Sequence, residues 1–176
     1  MEETIIKIND EVIDLSSDVE KLVKEAVDKC CLDLDNIVFD IRSAIMEDIT
    51  IVTNETLHKM IADLATMLYA SVSQLENLGI KEDVSKKLKN DVFSRVKQET
   101  EGTVANKEAA ATLASQSEDV VLTVYSRAYK QAKSKIDAGY EVLNVIKKIL
   151  TTRISELELS NSRYIGTNIE EEKINE

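Results

Sequence analysis

Proline and tryptophan are absent from the 176 residues, and aromatic side chains make up only 4%. Without proline the commonest helix breaker is gone, and Gly79, Gly102, Gly139 and Gly166 are the only glycines left to interrupt the backbone. Long helices follow from that. A core with so few aromatics must be built from Leu, Ile, Val and Ala, which interdigitate between helices more readily than they enclose a large pocket.

Reactive and ligating side chains are equally scarce. Cys30 and Cys31 are the only cysteines and His58 the only histidine. Adjacent cysteines rarely bridge, because the small ring strains the intervening peptide. They are expected as small core residues in a reduced, intracellular setting. No Cys or His cluster has metal-site spacing, so neither a metal nor another cofactor is expected. His58, beside an apolar stripe, is expected as a partly buried helix residue. No Gly-rich phosphate loop is present, and no serine stands in a triad-like motif. An enzyme is therefore the poorest class of explanation. No run approaches the roughly 18 apolar residues that suggest a membrane span. The start, Met1-Glu2-Glu3-Thr4, lacks the basic and apolar regions of a secretion signal, which makes the cytoplasm the expected location.

Charge is abundant and unevenly spread. The net charge is −11. Residues 1–79 hold 6 basic and 17 acidic side chains, residues 80–155 hold 14 and 10, and residues 156–176 hold 2 and 6. Such a balance argues against a surface that grips nucleic acid everywhere, but it leaves the middle stretch net basic.

That stretch also carries the strongest periodic signal. Leu122, Tyr129, Ile136, Leu143, Leu150 and Leu157 stand seven residues apart, with Tyr125, Ala132, Gly139 and Ile146 interleaved at the same period. This is a coiled-coil seam, and it needs helices from the same chain or from copies of it. The expected fold is all-α: a helical bundle with a long C-terminal coiled-coil-type helix and a short disordered tail.

Along the chain, Thr4–Ile8 is a short apolar run open to a strand, a helix start or a docking peptide. Apolar residues from Val12 to Ile45 advance by threes and fours and mark a helix over about 10–45, with a possible start at the Ser17/Glu20 capping box. Thr53 or Asn54 caps a second helix that Gly79 is expected to end. A third covers about 82–100, and Gly102-Thr103 breaks the chain again. Residues 1–100 thus form an acidic region of about three helices. Residues 103–160 follow as the oligomerisation arm, continuous over 104–160 and about 80 Å long. Residues 161–176, with Glu170-Glu171-Glu172, form the disordered acidic tail.

Two basic clusters lie on the long helix: Arg127, Lys130, Lys133 and Lys135, then Lys147, Lys148 and Arg153, with Tyr125, Tyr129 and Tyr140 among them. Lysines beside aromatics can neutralise phosphates and stack bases, the combination that binds single strands with little sequence preference. In the competing account the tyrosines belong to the seam and the lysines are merely solvated.

The stretches Gly102-Thr103-Val104-Ala105-Asn106-Lys107-Glu108-Ala109, Tyr125-Ser126-Arg127-Ala128-Tyr129-Lys130 and Ile146-Lys147-Lys148 through Arg153 resemble small helical phage proteins of the recombination-mediator (UvsY-like) kind. The resemblance covers roughly residues 80–158. It implies a ring-like homo-oligomer that binds single-stranded DNA and helps a RecA-like recombinase displace single-strand-binding protein, in a bacterial host cell. It points to Lys130, Lys133, Lys147, Lys148 and Arg153, with Arg127 beside them, as DNA contacts. It also implies that Leu122, Tyr129, Ile136, Leu143 and Leu150 hold the oligomer, with Tyr125, Ala132, Ile146 and Leu157 in the same seam. The alternative is an acidic helical interaction module, a scaffold or inhibitor that meets a basic protein partner through Glu11, Asp14, Asp18, Glu25, Asp28, Asp33, Asp35 and Asp40. In that reading no nucleic acid is bound.

Overall fold

The computed structural model describes the backbone of residues 2–174 and the side chains of residues 13–160. It is all-α, with helices α1 (Glu2–Asp48), α2 (Asn54–Glu99), α3 (Val104–Ala114) and α4 (Gln116–Ile174). The fold class expected from the sequence is observed. The region expected to hold about three helices before residue 100 instead holds two. α4 carries the backbone of residues 161–174, where a disordered tail was expected, as helix; the side chains of 161–176 lie outside the described residues.

α1 does not wait for Ser17, since the helix is already formed from Glu2. Gly79 does not end the second helix either. α2 passes straight through it, and Tyr129 of α4 lies alongside: a Cβ on Gly79 would stand 3.4 Å from the Tyr129 ring. The expected cap at Thr53 is in place, and Thr103, expected only as part of a break, caps α3. Thr53 Oγ1 accepts the Thr56 N–H at 3.1 Å, and Thr103 Oγ1 accepts that of Asn106 at 3.4 Å. Gly102, between α2 and α3, has φ 117°, a conformation that a Cβ would strain. The long helix is not continuous from 104 as expected. Ser115 interrupts it at φ −98°, ψ 9°, and separates α3 from α4.

α2 and α4 run antiparallel: Arg153 reaches Asn54, Gly139 meets Leu68, Tyr129 meets Gly79, and Asp119 pairs with Lys89. α3 continues the same antiparallel pairing, with Lys97 Nζ 2.7 Å from Glu108. α1 lies parallel to α4, as Cys31, Asp35 and Ile49 meet Ala132, Lys135 and Arg153 in order. One core joins all three long helices. It includes Val23, Val27, Cys31 and Leu34 of α1, Leu57, Leu64, Leu68 and Leu78 of α2, and Val124, Ala128, Ala132, Ile136, Leu143, Ile146 and Leu150 of α4.

The heptad seam therefore finds its partners within the chain. Ala132, Ile136, Leu143, Ile146 and Leu150 are covered by α1 and α2, and Tyr125 and Tyr129 pack half-buried against the same core. These residues are not open to a second copy, which corrects their assignment to an oligomer seam. Leu122 is half-buried and outside that core, and Leu157 is 55% exposed. Val124 and Ala128 take inward places that the heptad did not name. The steps Val124, Ala128, Ala132 and Ile136 are all of four, because a straight helix of 3.6 residues per turn drifts off a strict seven-residue repeat.

Candidate nucleic-acid interface

α4 has two flanks, and its neighbours separate them. On one flank Arg127, Gln131 and Lys135 line a 320 Å³ cleft whose other wall is α1, with Glu20 and Asp28. Lys135 pairs with Asp35. Arg127 thus looks across at Glu20, Lys24 and Asp28 of its own chain, a mixed-charge wall unlike the open flank. Arg153 is removed from the set altogether. Its guanidinium donates to the carbonyls of Ile49 and Val52 and to Asn54 Oδ1, which closes the C-terminal end of α1. This corrects its reading as a DNA contact: the carbonyls of the α1–α2 turn need donors, and Arg153 supplies them.

The other flank borders α2. Lys133, Tyr140 and Lys147 follow each other at seven-residue intervals, about 10 Å apart along one stripe. Tyr129, one turn before Lys133, lies against Gly79 of α2 and places that stripe on the side away from Arg127 and α1. Lys133 and Lys147 are exposed, and among the described residues neither enters an ion pair. Tyr140 is 44% exposed. Leu68 of α2 crowds Gly139, so Tyr69 stands at the height of Tyr140, and it is 78% exposed. Two lysines and two open tyrosines are thereby brought to one side of the α2–α4 pair. Tyr69 escaped sequence reasoning because nothing in the order of residues links α2 to α4; only the antiparallel register does.

Lys130 and Lys148 are exposed but sit on different stripes from this one. At the seven-residue period Lys130 is followed by Asp137, and Lys148 is preceded by Glu141. The two basic clusters do not merge into one continuous field. Acidic charge is concentrated elsewhere: α1 bears 14 acidic and 5 basic side chains.

His58 is exposed rather than partly buried. Glu55 and His58 do have Glu-x-x-His spacing, but both face solvent, and no group of three or more His, Cys, Asp or Glu side chains is placed to hold a metal ion among the described residues. Cys30 and Cys31 are free and buried, as expected of core residues. Burial pushes both thiols up, Cys31 to about 12, so neither supplies a thiolate at neutral pH. No helix among the described residues is long and apolar enough to cross a membrane.

The class defined by this geometry is a three-helix bundle with an interrupted fourth segment and open clefts. Compared with protein-family models, curated proteins and solved structures, the chain matches none.

Proposed function

We propose that the protein is a non-enzymatic, phage-type factor that binds single-stranded DNA across the α2–α4 face and assists the loading of a recombinase. The observation that carries this reading is the Lys133–Tyr140–Lys147 stripe with Tyr69 beside it, exposed on the side away from acidic α1. The lysines neutralise phosphates, and the tyrosines offer flat faces to unstacked bases. The resemblance to recombination mediators supplies the recombinase. α1, with its excess of carboxylates, keeps the strand to the other face.

The test is fluorescence anisotropy of a labelled single-stranded oligonucleotide at several salt concentrations. Binding should weaken at least tenfold in a Lys133→Glu/Lys147→Glu protein, with the slope of log affinity against log salt reduced by about 1.4 for two lost contacts. Tyr140→Ala should weaken binding without changing that slope. Wild-type protein that ignores the oligonucleotide at low salt would defeat the reading. It would favour the second one, an interaction module whose acidic α1 face captures a basic protein, to be followed by neutralising Asp14, Asp18, Glu25 and Asp28.

A further inference from the structure

With the heptad seam buried inside the chain, a second copy must use another surface, and α4 has one. Val145, Thr152 and Leu159 stand seven residues apart on the outside of the helix, with Lys148, Ile149, Ser155 and Glu156 filling the same stripe. All seven lie outside the core cluster except Ile149, which is half-buried at its edge; Val145 is 52% exposed and Leu159 62%. Val145, Lys148, Ile149, Thr152 and Arg153 line an open cleft of 330 Å³.

Two pairs along this stripe are complementary about Thr152, while the third, Ile149 and Ser155, sets an apolar residue level with a small polar one. Val145 lies seven before it and Leu159 seven after; Lys148 lies four before and Glu156 four after. When two identical helices cross antiparallel at Thr152, residues equally far on either side come level. Val145 then meets Leu159 of the other copy and Lys148 meets Glu156, each contact made twice. A parallel pair would set lysine against lysine and glutamate against glutamate. We infer that this stripe is the contact of an antiparallel two-fold dimer of the chain, with its axis at Thr152.

A contact of one helix pair is smaller than the roughly 1,200–2,000 Å² of stable complexes, so the dimer is expected to be weak and concentration-dependent. The proposal stands apart from DNA binding, which was assigned to Lys133, Tyr140 and Lys147 on a different stripe.

Sedimentation velocity between about 1 and 200 µM is the direct test. Wild-type protein should pass from monomer to dimer over that range. Lys148→Glu and Glu156→Lys should each remain monomeric, with association weakened tenfold or more, and an equimolar mixture of the two should dimerise again because opposite charges then face each other. Thr152→Cys should form a dimer through one disulfide on mild oxidation, since an axis at this residue brings the two copies of it together. The native cysteines are buried and leave the readout clean. Ser94→Cys, on exposed α2 surface, serves as the control. Monomeric wild-type protein at 200 µM, unaltered dimerisation of the single charge variants, or cross-linking at Ser94→Cys as efficient as at Thr152→Cys would each overturn the proposal. Circular dichroism of the variants verifies that the fold is intact.

Discussion

At Gly139 side chains of two helices reach the backbone of a third. A Cβ there would stand 2.9 Å from Leu68 Cδ2 and 3.4 Å from Leu34 Cδ1, so α1 and α2 both press on the bare backbone of α4. Overpacking of this kind costs about 1–3 kcal/mol, against about 1 kcal/mol gained from replacing a mid-helix glycine by alanine. Gly139→Ala should therefore lower stability by on the order of 1 kcal/mol. Gly79→Ala should act in the opposite direction. Its Cβ would reach the Tyr129 ring at 3.4 Å, at the edge of ordinary contact, and the gain in helix propensity dominates, at roughly 0.5–1 kcal/mol. Urea denaturation of the two variants tests the contrast, and equal signs would mean that the close approach at Gly139 is not felt. The cysteines beside this point follow the same logic of tight packing. Cys30 Sγ lies 3.6 Å from the Ser71 carbonyl and Cys31 Sγ 3.9 Å from that of Ala132. Small side chains are needed there for helices to approach, which accounts for two cysteines without any redox chemistry.

At the scale of elements, the α1–α2 turn is held from outside its own sequence. Asp48 Oδ1 accepts the Thr50 hydroxyl at 2.6 Å and the Thr50 N–H at 2.8 Å, which holds the Asp48 carboxyl below its usual range. Arg153 then closes the turn across about a hundred residues of sequence, on the carbonyls of Ile49 and Val52. Arg153→Met keeps much of the aliphatic stem and removes the donors. Left without partners, the carbonyls should cost about 1–3 kcal/mol, seen as a lower melting temperature and faster amide exchange around Ile49–Val52. DNA affinity should be unchanged, because this guanidinium faces the turn and not the Tyr140 stripe. A variant that melts normally but binds DNA more weakly would return Arg153 to the interface.

At the scale of the whole molecule, the heptad helix serves as the central strut of its own bundle. Leu143 is part of the core shared by α1, α2 and α4. Leu143→Asp would place a carboxylate in that core, a loss of several kcal/mol against the roughly 5–15 kcal/mol that holds a domain folded. The variant should lose cooperative melting, monitored by circular dichroism. Had the seam served to join copies, the same substitution would leave a folded monomer. The division of charge belongs to this scale too. Acidic α1 packs on the flank of α4 that carries Arg127 and Lys135, and so spares the flank with Lys133 and Lys147.

The all-α class, the Thr53 cap and the break at Gly102 were legible in the order of residues, since they rest on local forces: propensity, capping, the absence of proline and the spacing of apolar side chains. The passage of α2 through Gly79, the Thr103 cap and the interruption at Ser115 were not. The need of the seam for partners was legible too. The identity of those partners was not, because a stripe of Leu, Ile and Ala is equally complementary to another copy and to α1 and α2, and proximity within one chain decides in favour of the latter. The same holds for the candidate interface. Lys133, Tyr140 and Lys147 were visible as a basic and aromatic stretch, whereas the removal of Arg153 depended on contacts with Ile49 and Val52, more than a hundred positions away, and the arrival of Tyr69 on the approach of its neighbour Leu68 to the distant Gly139. Local sequence determined which segments are helical; tertiary packing decided which of their faces remain open to other molecules.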